Sequence, residues 1–284
     1  MAVHPRSPIA AVSLILLPLG LAGCSVLDPQ PLPDAHLAAL AATAQADRPN
    51  DAAALRAEMI RVCGHREDGS VPESCSEQAI DATISSSPAV EPAEAAGQVE
   101  DLFFALPEQS RLLVAQMYTT LPASSDVEVT PEPPALEGSD QPPQDKAQDP
   151  EQESDWAAAL RTGLEEEYEL LYGLDVARAF ADPATTARID RAHHVHTERV
   201  AQLQELLAPT GDVPAALPAY AFAPAATVPV DQATAAIAVD ELLRSTSSTW
   251  ANIAAEAKTE AFASYTLRLS APTPTASAAG GENL

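Results

Sequence analysis

A chain of 284 residues with 41 aspartates and glutamates against 15 lysines and arginines carries a formal charge of −26, which disfavours nucleic acid and anionic lipid headgroups as partners for its surface. Aromatic residues make up only 4% while alanine is abundant, a composition that suits close helix packing better than a sheet-rich fold. The length has room for one or two modest domains.

The first residues read as an export signal. Arg6 and the amino terminus supply positive charge, and the apolar stretch Ile9 to Leu21, interrupted by Ser13, Pro18 and Gly20, is too short to span a bilayer comfortably. It ends in Leu21-Ala22-Gly23-Cys24, where two small residues before a cysteine let a lipoprotein peptidase close around the backbone. Residues 1–23 are therefore expected to be a lipoprotein signal peptide and Cys24 the lipidated residue, holding the protein at the extracytoplasmic face of the cell membrane. An uncleaved apolar helix with a buried cysteine is the alternative, disfavoured by the Pro and Gly breaks. Residues 24–34, polar and Pro-rich, suit a tether.

Lipidation of Cys24 leaves an even pair of thiols, Cys63 and Cys75, in an oxidising space, which predicts a disulfide. Between them Gly64, Gly69 and Pro72 mark a turn joining two helices. A metal site built from both thiols and His65 is the alternative, but a closed structural site needs about four ligands.

Over residues 35–121, helical periodicity runs through Leu37–Ala46, Ala52–Val62 and Gln98–Leu121, with Pro107 expected to divide the last segment. Asp34 and Asn50 are candidate N-caps, and Ser74 with Glu77 has the spacing of a capping box before Ala79, Ile80 and Ile84. The stripe Val99, Leu102, Phe103, Leu106, Leu113, Met117 and Leu121 reads as core, with a partner-binding face as the alternative. Residues 122–155 are acidic and rich in proline and cannot bury enough apolar area to offset their ordering entropy, so a disordered, extended linker is expected there. A disordered tail is expected over 271–284.

Residues 156–270 carry the clearest pattern. One helix is expected from Trp156 to Ala181, with the inward stripe Leu160, Leu164, Glu167, Leu171, Leu174 and Ala177. Asp182-Pro183 starts a second, which runs to Leu207 before Pro209-Thr210-Gly211 breaks it. A third begins near Asp231, with a break expected around Ser245–Ser248 before helix continues to Leu269. Two hairpins joined by the long Pro- and Ala-rich crossing Pro209–Pro229 have the connectivity of a ferritin-like four-helix bundle, so the whole fold is expected to be all-α.

The segments Glu167-Tyr-Glu-Leu-Leu-Tyr-Gly173, His196-Thr-Glu-Arg199 with Leu203, Pro218-Ala-Tyr220 and the late Trp250 resemble the ferritin-like domain of unknown function found in actinobacterial lipoproteins and alanine-rich proteins. The likeness covers roughly two fifths of the chain. That family often has a histidine directly after its glutamate, where this chain has Tyr168. Its acidic residue on the third helix has no secure counterpart, Asp240 and Glu241 being merely close.

Ferritin-like di-iron centres draw carboxylates from all four helices and histidines from two Glu-x-x-His turns. Here Glu167 faces inward and Asp190, His193 and His196 follow at helical spacing, so the four could meet in the core. The chain has no histidine after His196, however, so the second hairpin lacks the second metal's usual ligand. The competing reading is a buried polar pair, Glu167 with His196 or His193 and Arg199 nearby, fixing the register of two helices. No cofactor is expected on this basis, iron or manganese being the alternative. No phosphate loop or nucleophile elbow is present.

The resulting expectation is a non-enzymatic, membrane-anchored lipoprotein whose helical module binds an envelope protein, a cell-wall component or a small ligand, or serves as structure. The alternative is a degenerate ferritin-like metal-binding protein or metal-dependent oxidase.

Overall fold

The computed structural model describes residues 30–121, 131–134 and 155–272. The expected signal peptide, Cys24, most of the expected tether, the remainder of the expected linker and the tail from residue 273 lie outside the described residues.

Nine α-helices and four short 3-10 turns make up the described residues, with no strand among them. In chain order the helices are α1 (Ala35–Ala44), α2 (Pro49–Cys63), α3 (Glu77–Ser86), α4 (Ala95–Leu102), α5 (Glu108–Tyr118), α6 (Asp155–Arg178), α7 (Pro183–Leu207), α8 (Gln232–Glu256) and α9 (Glu260–Leu269). None is long and apolar enough to cross a membrane.

Local chemistry accounts for many of the boundaries. Asp34 caps α1 by accepting the backbone N–H groups of His36 and Leu37. Asp182 accepts from Thr185 at 2.7 Å ahead of Pro183, and Asp231 and Thr234 form a reciprocal capping box at the start of α8. Three boundaries differ from expectation. Asn50 lies inside α2, because Pro49, whose missing N–H costs nothing in the first turn, starts the helix two residues earlier than a cap at Asn50 would. Ser76, rather than Ser74, caps α3 by accepting from the Ala79 N–H; the Ser74 hydroxyl instead donates to the Pro31 carbonyl at 2.6 Å. The Ser245–Ser248 run does not break α8, since Thr246 and Trp250 are buried there; the Thr246 hydroxyl is satisfied by the Leu242 carbonyl one turn back. The real break lies at residues 257–259, where Thr259 caps α9.

In the N-terminal half α1 is the central element. Leu37, Ala38, Leu40, Ala41 and Ala44 are buried, and α2, α3 and α4 pack around it. The disulfide between Cys63 and Cys75 ties the end of α2 to the turn before α3. Pro107 does divide the following segment, ending a 3-10 turn (Phe103–Ala105) and preceding α5. The expected stripe is core in part: Val99, Phe103, Leu106 and Leu121 are at most 5% exposed, whereas Leu102, Leu113 and Met117 are half-buried and the buried face of α5 runs through Val114 and Tyr118.

In the C-terminal half α6 lies against both α7 and α8, and α8 lies also against α9 and α5. Glycine sets the α6–α8 approach at two points: a Cβ on Gly163 would stand 2.2 Å from the Trp250 ring, and one on Gly173 would stand 2.6 Å from the Leu242 side chain. Because α9 has only ten residues beside the 25 of α8, α5 covers part of α8 that the short helix leaves open. One apolar core therefore runs from Leu37 and Phe103 through Leu160 and Trp250 to Leu269, across both halves. Polar contacts reinforce the join: Arg268 donates to Glu100 at 2.9 Å, and the Arg111 guanidinium stacks 4.4 Å from the Phe104 ring centre while reaching the Ala257 carbonyl.

Within the stretch expected to be a disordered linker, residues 131–134 are seated on the body. Pro131 is buried, and its carbonyl accepts from Gln202 of α7 at 3.0 Å.

Candidate functional site

The inward face of α7 is the row Ile189, Ala192, His196, Arg199, Leu203 and Leu207, all buried. Its spacing of three and four residues is that of a single helix face. Facing His196 and Arg199 across the core is Glu167 of α6, fully buried, and closing the group from α8 is Trp250, also fully buried.

Both oxygens of the Glu167 carboxylate are engaged. Oε2 lies 2.5 Å from His196 Nδ1, and Oε1 accepts the indole N–H of Trp250 at 2.8 Å. The Arg199 guanidinium stands 3.8 Å from Oε1 and donates to the Leu269 carbonyl at 2.9 Å. One turn further along α7, Gln202 accepts from the Tyr265 hydroxyl at 2.9 Å and donates to the Pro131 carbonyl. A single polar cluster thus joins all four C-terminal helices.

Burial pushes the Glu167 carboxyl up, but the His196 contact, the Arg199 charge and the Trp250 N–H outweigh it and hold the group below the usual carboxylate range. A carboxylate can only accept, so His196 Nδ1 carries hydrogen. Burial holds the imidazole below its ordinary value against the upward pull of Glu167, and the Arg199 charge adds to the lowering. The arrangement is a buried carboxylate flanked by an imidazole that donates from Nδ1 and by a guanidinium. Its counter-charge is supplied from within the chain, so burial of Glu167 carries its compensation with it.

Of the four residues expected to meet, only Glu167 and His196 do. Asp190 is exposed and pairs with Arg178 at 2.6 Å. His193 is half-exposed, 3.6 Å from Asp175 and 3.3 Å from the Thr197 hydroxyl. The reason is helical geometry: at about 100° per residue, Asp190 is turned some 120° and His193 some 60° from His196 around α7. Among the described residues no group of three or more histidine, cysteine, aspartate or glutamate side chains is arranged to hold a metal ion. Cys63 and Cys75 are bonded to each other, which removes them as the thiolate pair of a site with His65. Asp240 pairs with Arg188, and Glu241 accepts the N–H and hydroxyl of Thr227 at 2.8 and 3.0 Å.

Sequence reasoning missed Trp250 as the second donor to Glu167. Its signal is Gly163, one helical turn before Glu167: a small residue on an inward stripe marks where a large partner lies flat. Tyr168, where the resembled family often has histidine, is largely buried and points elsewhere, donating to the Pro214 carbonyl at 3.1 Å and accepting from Gln204. Comparison of the chain with family models, curated proteins and solved structures finds no match.

Proposed function

We propose that the chain is a lipid-anchored lipoprotein of the extracytoplasmic membrane face, and that its helices form a non-enzymatic binding or structural module in which α6–α9 are a ferritin-like bundle without a metal centre. The long crossing between α7 and α8 and the neighbour relations of α6, α7, α8 and α9 support the ferritin-like reading. The leader ending in Leu21-Ala22-Gly23-Cys24 supports the anchor.

The observation that carries the metal-free reading is that both oxygens of Glu167 are already engaged within the core. A ligating carboxylate needs a lone pair directed at the metal, and here one oxygen takes the imidazole, the other takes the indole, and Arg199 already provides the positive charge. Metal entry at this point would have to displace a buried guanidinium.

Elemental analysis of full-length protein purified without chelators tests this. The expected result is far below one equivalent of iron or manganese, with Glu167→Ala and His196→Ala variants that melt earlier. Stoichiometric metal lost in both variants would overturn the reading in favour of a metal-binding bundle. The anchor is tested separately: Cys24→Ala should move the protein from the membrane fraction to the soluble one, and unchanged membrane association would refute lipidation at that residue.

A further inference from the structure

A cleft of about 130 Å³ opens between α6, α8 and the crossing that joins α7 to α8. Its aromatic walls are Tyr172 of α6 with Tyr220 and Phe222 of the crossing, and its polar groups include the carboxylates of Glu166, Glu169 and Glu241. All the residues lining it are described ones, and none is lysine, arginine or histidine. We infer that this cleft binds a small organic ammonium ion, held against the tyrosine and phenylalanine rings with the glutamates supplying the counter-charge.

Three features support this. First, the rings are set before any ligand arrives. Tyr172 and Tyr220 stand 5.7 Å apart, inclined at 57°, and the Tyr220 hydroxyl is held by the Leu217 N–H at 2.9 Å. Glu241 fixes the crossing through both groups of Thr227, and Gly173 lets Leu242 of α8 close against α6. A site whose walls are already ordered loses little entropy on binding. Second, angled aromatic faces attract cations through their quadrupoles, and a quaternary or alkylated ammonium, weakly hydrated and partly apolar, suits them better than a metal ion does.

Third, the negative charge is not consumed internally. Glu169 has no hydrogen-bond or ion-pair partner among the described residues, and burial together with the charges of Glu166 and Glu165 pushes its carboxyl above the ordinary range. A bound cation would relieve that repulsion. The cleft is separate from the Glu167 cluster, so it does not depend on whether that cluster holds metal. The reading of the chain as an anchored module governs only where the ligand would be met.

The test is calorimetric titration of the full-length protein at low salt with choline chloride and, in parallel, with its uncharged carbon isostere 3,3-dimethylbutan-1-ol. Choline should bind with a Kd of about 1 mM or tighter and the isostere at least about threefold more weakly. Glu169→Gln and Tyr220→Ala should each weaken choline about threefold or more, while Glu205→Gln on exposed α7 surface leaves it unchanged. Unchanged thermal melting of Glu169→Gln keeps the result attributable to the cleft if Tyr220→Ala disturbs the crossing. Absence of choline binding, equal binding of the isostere, or indifference to Glu169→Gln would each overturn the inference. None of these outcomes touches the metal analysis, so the two readings fail separately.

Discussion

Replacing Glu167 by glutamine removes a charge from the core and almost nothing else. The amide can still accept the Trp250 N–H through its oxygen, and its NH₂ can donate to His196 Nδ1 if the imidazole moves its hydrogen to Nε2. What is lost is the counter-charge of Arg199. At the observed 3.8 Å, two unit charges in an effective dielectric of about 20 attract by about 4 kcal/mol. Glu167→Gln should therefore cost about 3–5 kcal/mol, the range for stranding one partner of a buried pair. Arg199→Met should cost a similar amount for the mirror-image reason. The double variant restores neutrality, so it should be less destabilised than the two single costs added together, by about 3 kcal/mol. Urea denaturation near neutral pH, followed by circular dichroism, measures all four corners of the cycle. Additive single costs would refute the claim that Glu167 and Arg199 compensate each other.

The two helical glycines of α6 should respond unequally to alanine: Gly163→Ala meets the rigid Trp250 ring and should cost about 1–2 kcal/mol net of the helix-propensity gain. Gly173→Ala meets the branched end of the Leu242 side chain, which can rotate, and should cost less, at most about 1 kcal/mol; equal effects in thermal melts would contradict the packing described. The carboxyl of Glu167 and the imidazole of His196 are both held below their ordinary values of 4.5 and 6.5, so the unfolded chain binds more protons than the folded one as pH falls. Stability should be level above about pH 7, decline as pH drops below the ordinary histidine value and decline again below the carboxylate value; His196→Gln should abolish the first decline in calorimetric scans, and its persistence would exclude His196 as the cause. Converting Cys63 and Cys75 to serine opens a loop spanning a sequence separation of 12 and should cost about 3 kcal/mol, read as a lower urea midpoint, whereas an unchanged midpoint would show that the bridge does not constrain the unfolded chain.

Much of this architecture can be read from residue order because it is fixed locally. Asp182-Pro183 and Asp231 announce their helices through caps that bind backbone three residues away. The Ser245–Ser248 run misleads because its residues are poor helix formers in isolation, while the burial of Thr246 and Trp250 in the shared core holds α8 together. The site is legible to the same degree. Glu167 stands on an inward stripe, and the row Ile189, Ala192, Leu203, Leu207 places His196 and Arg199 on the buried face while turning Asp190 and His193 away from it. The contact to Trp250, 83 residues from Glu167 along the chain, depends on how two helices approach and leaves only the indirect mark of Gly163.

The continuous core alters what the connecting stretch between α5 and α6 has to do. Phe103, Leu106 and Val114 on one side of that stretch are packed in the same apolar cluster as Leu160, Trp250 and Leu267 on the other, and Pro131 rests on α7 between them. Covalent continuity is then not the only tie between the two halves. A nick anywhere from residue 135 to residue 154 would leave two fragments that stay associated as a heterodimer under native conditions and separate only in denaturant. The protein is in this sense two complementary chains that happen to be synthesised as one.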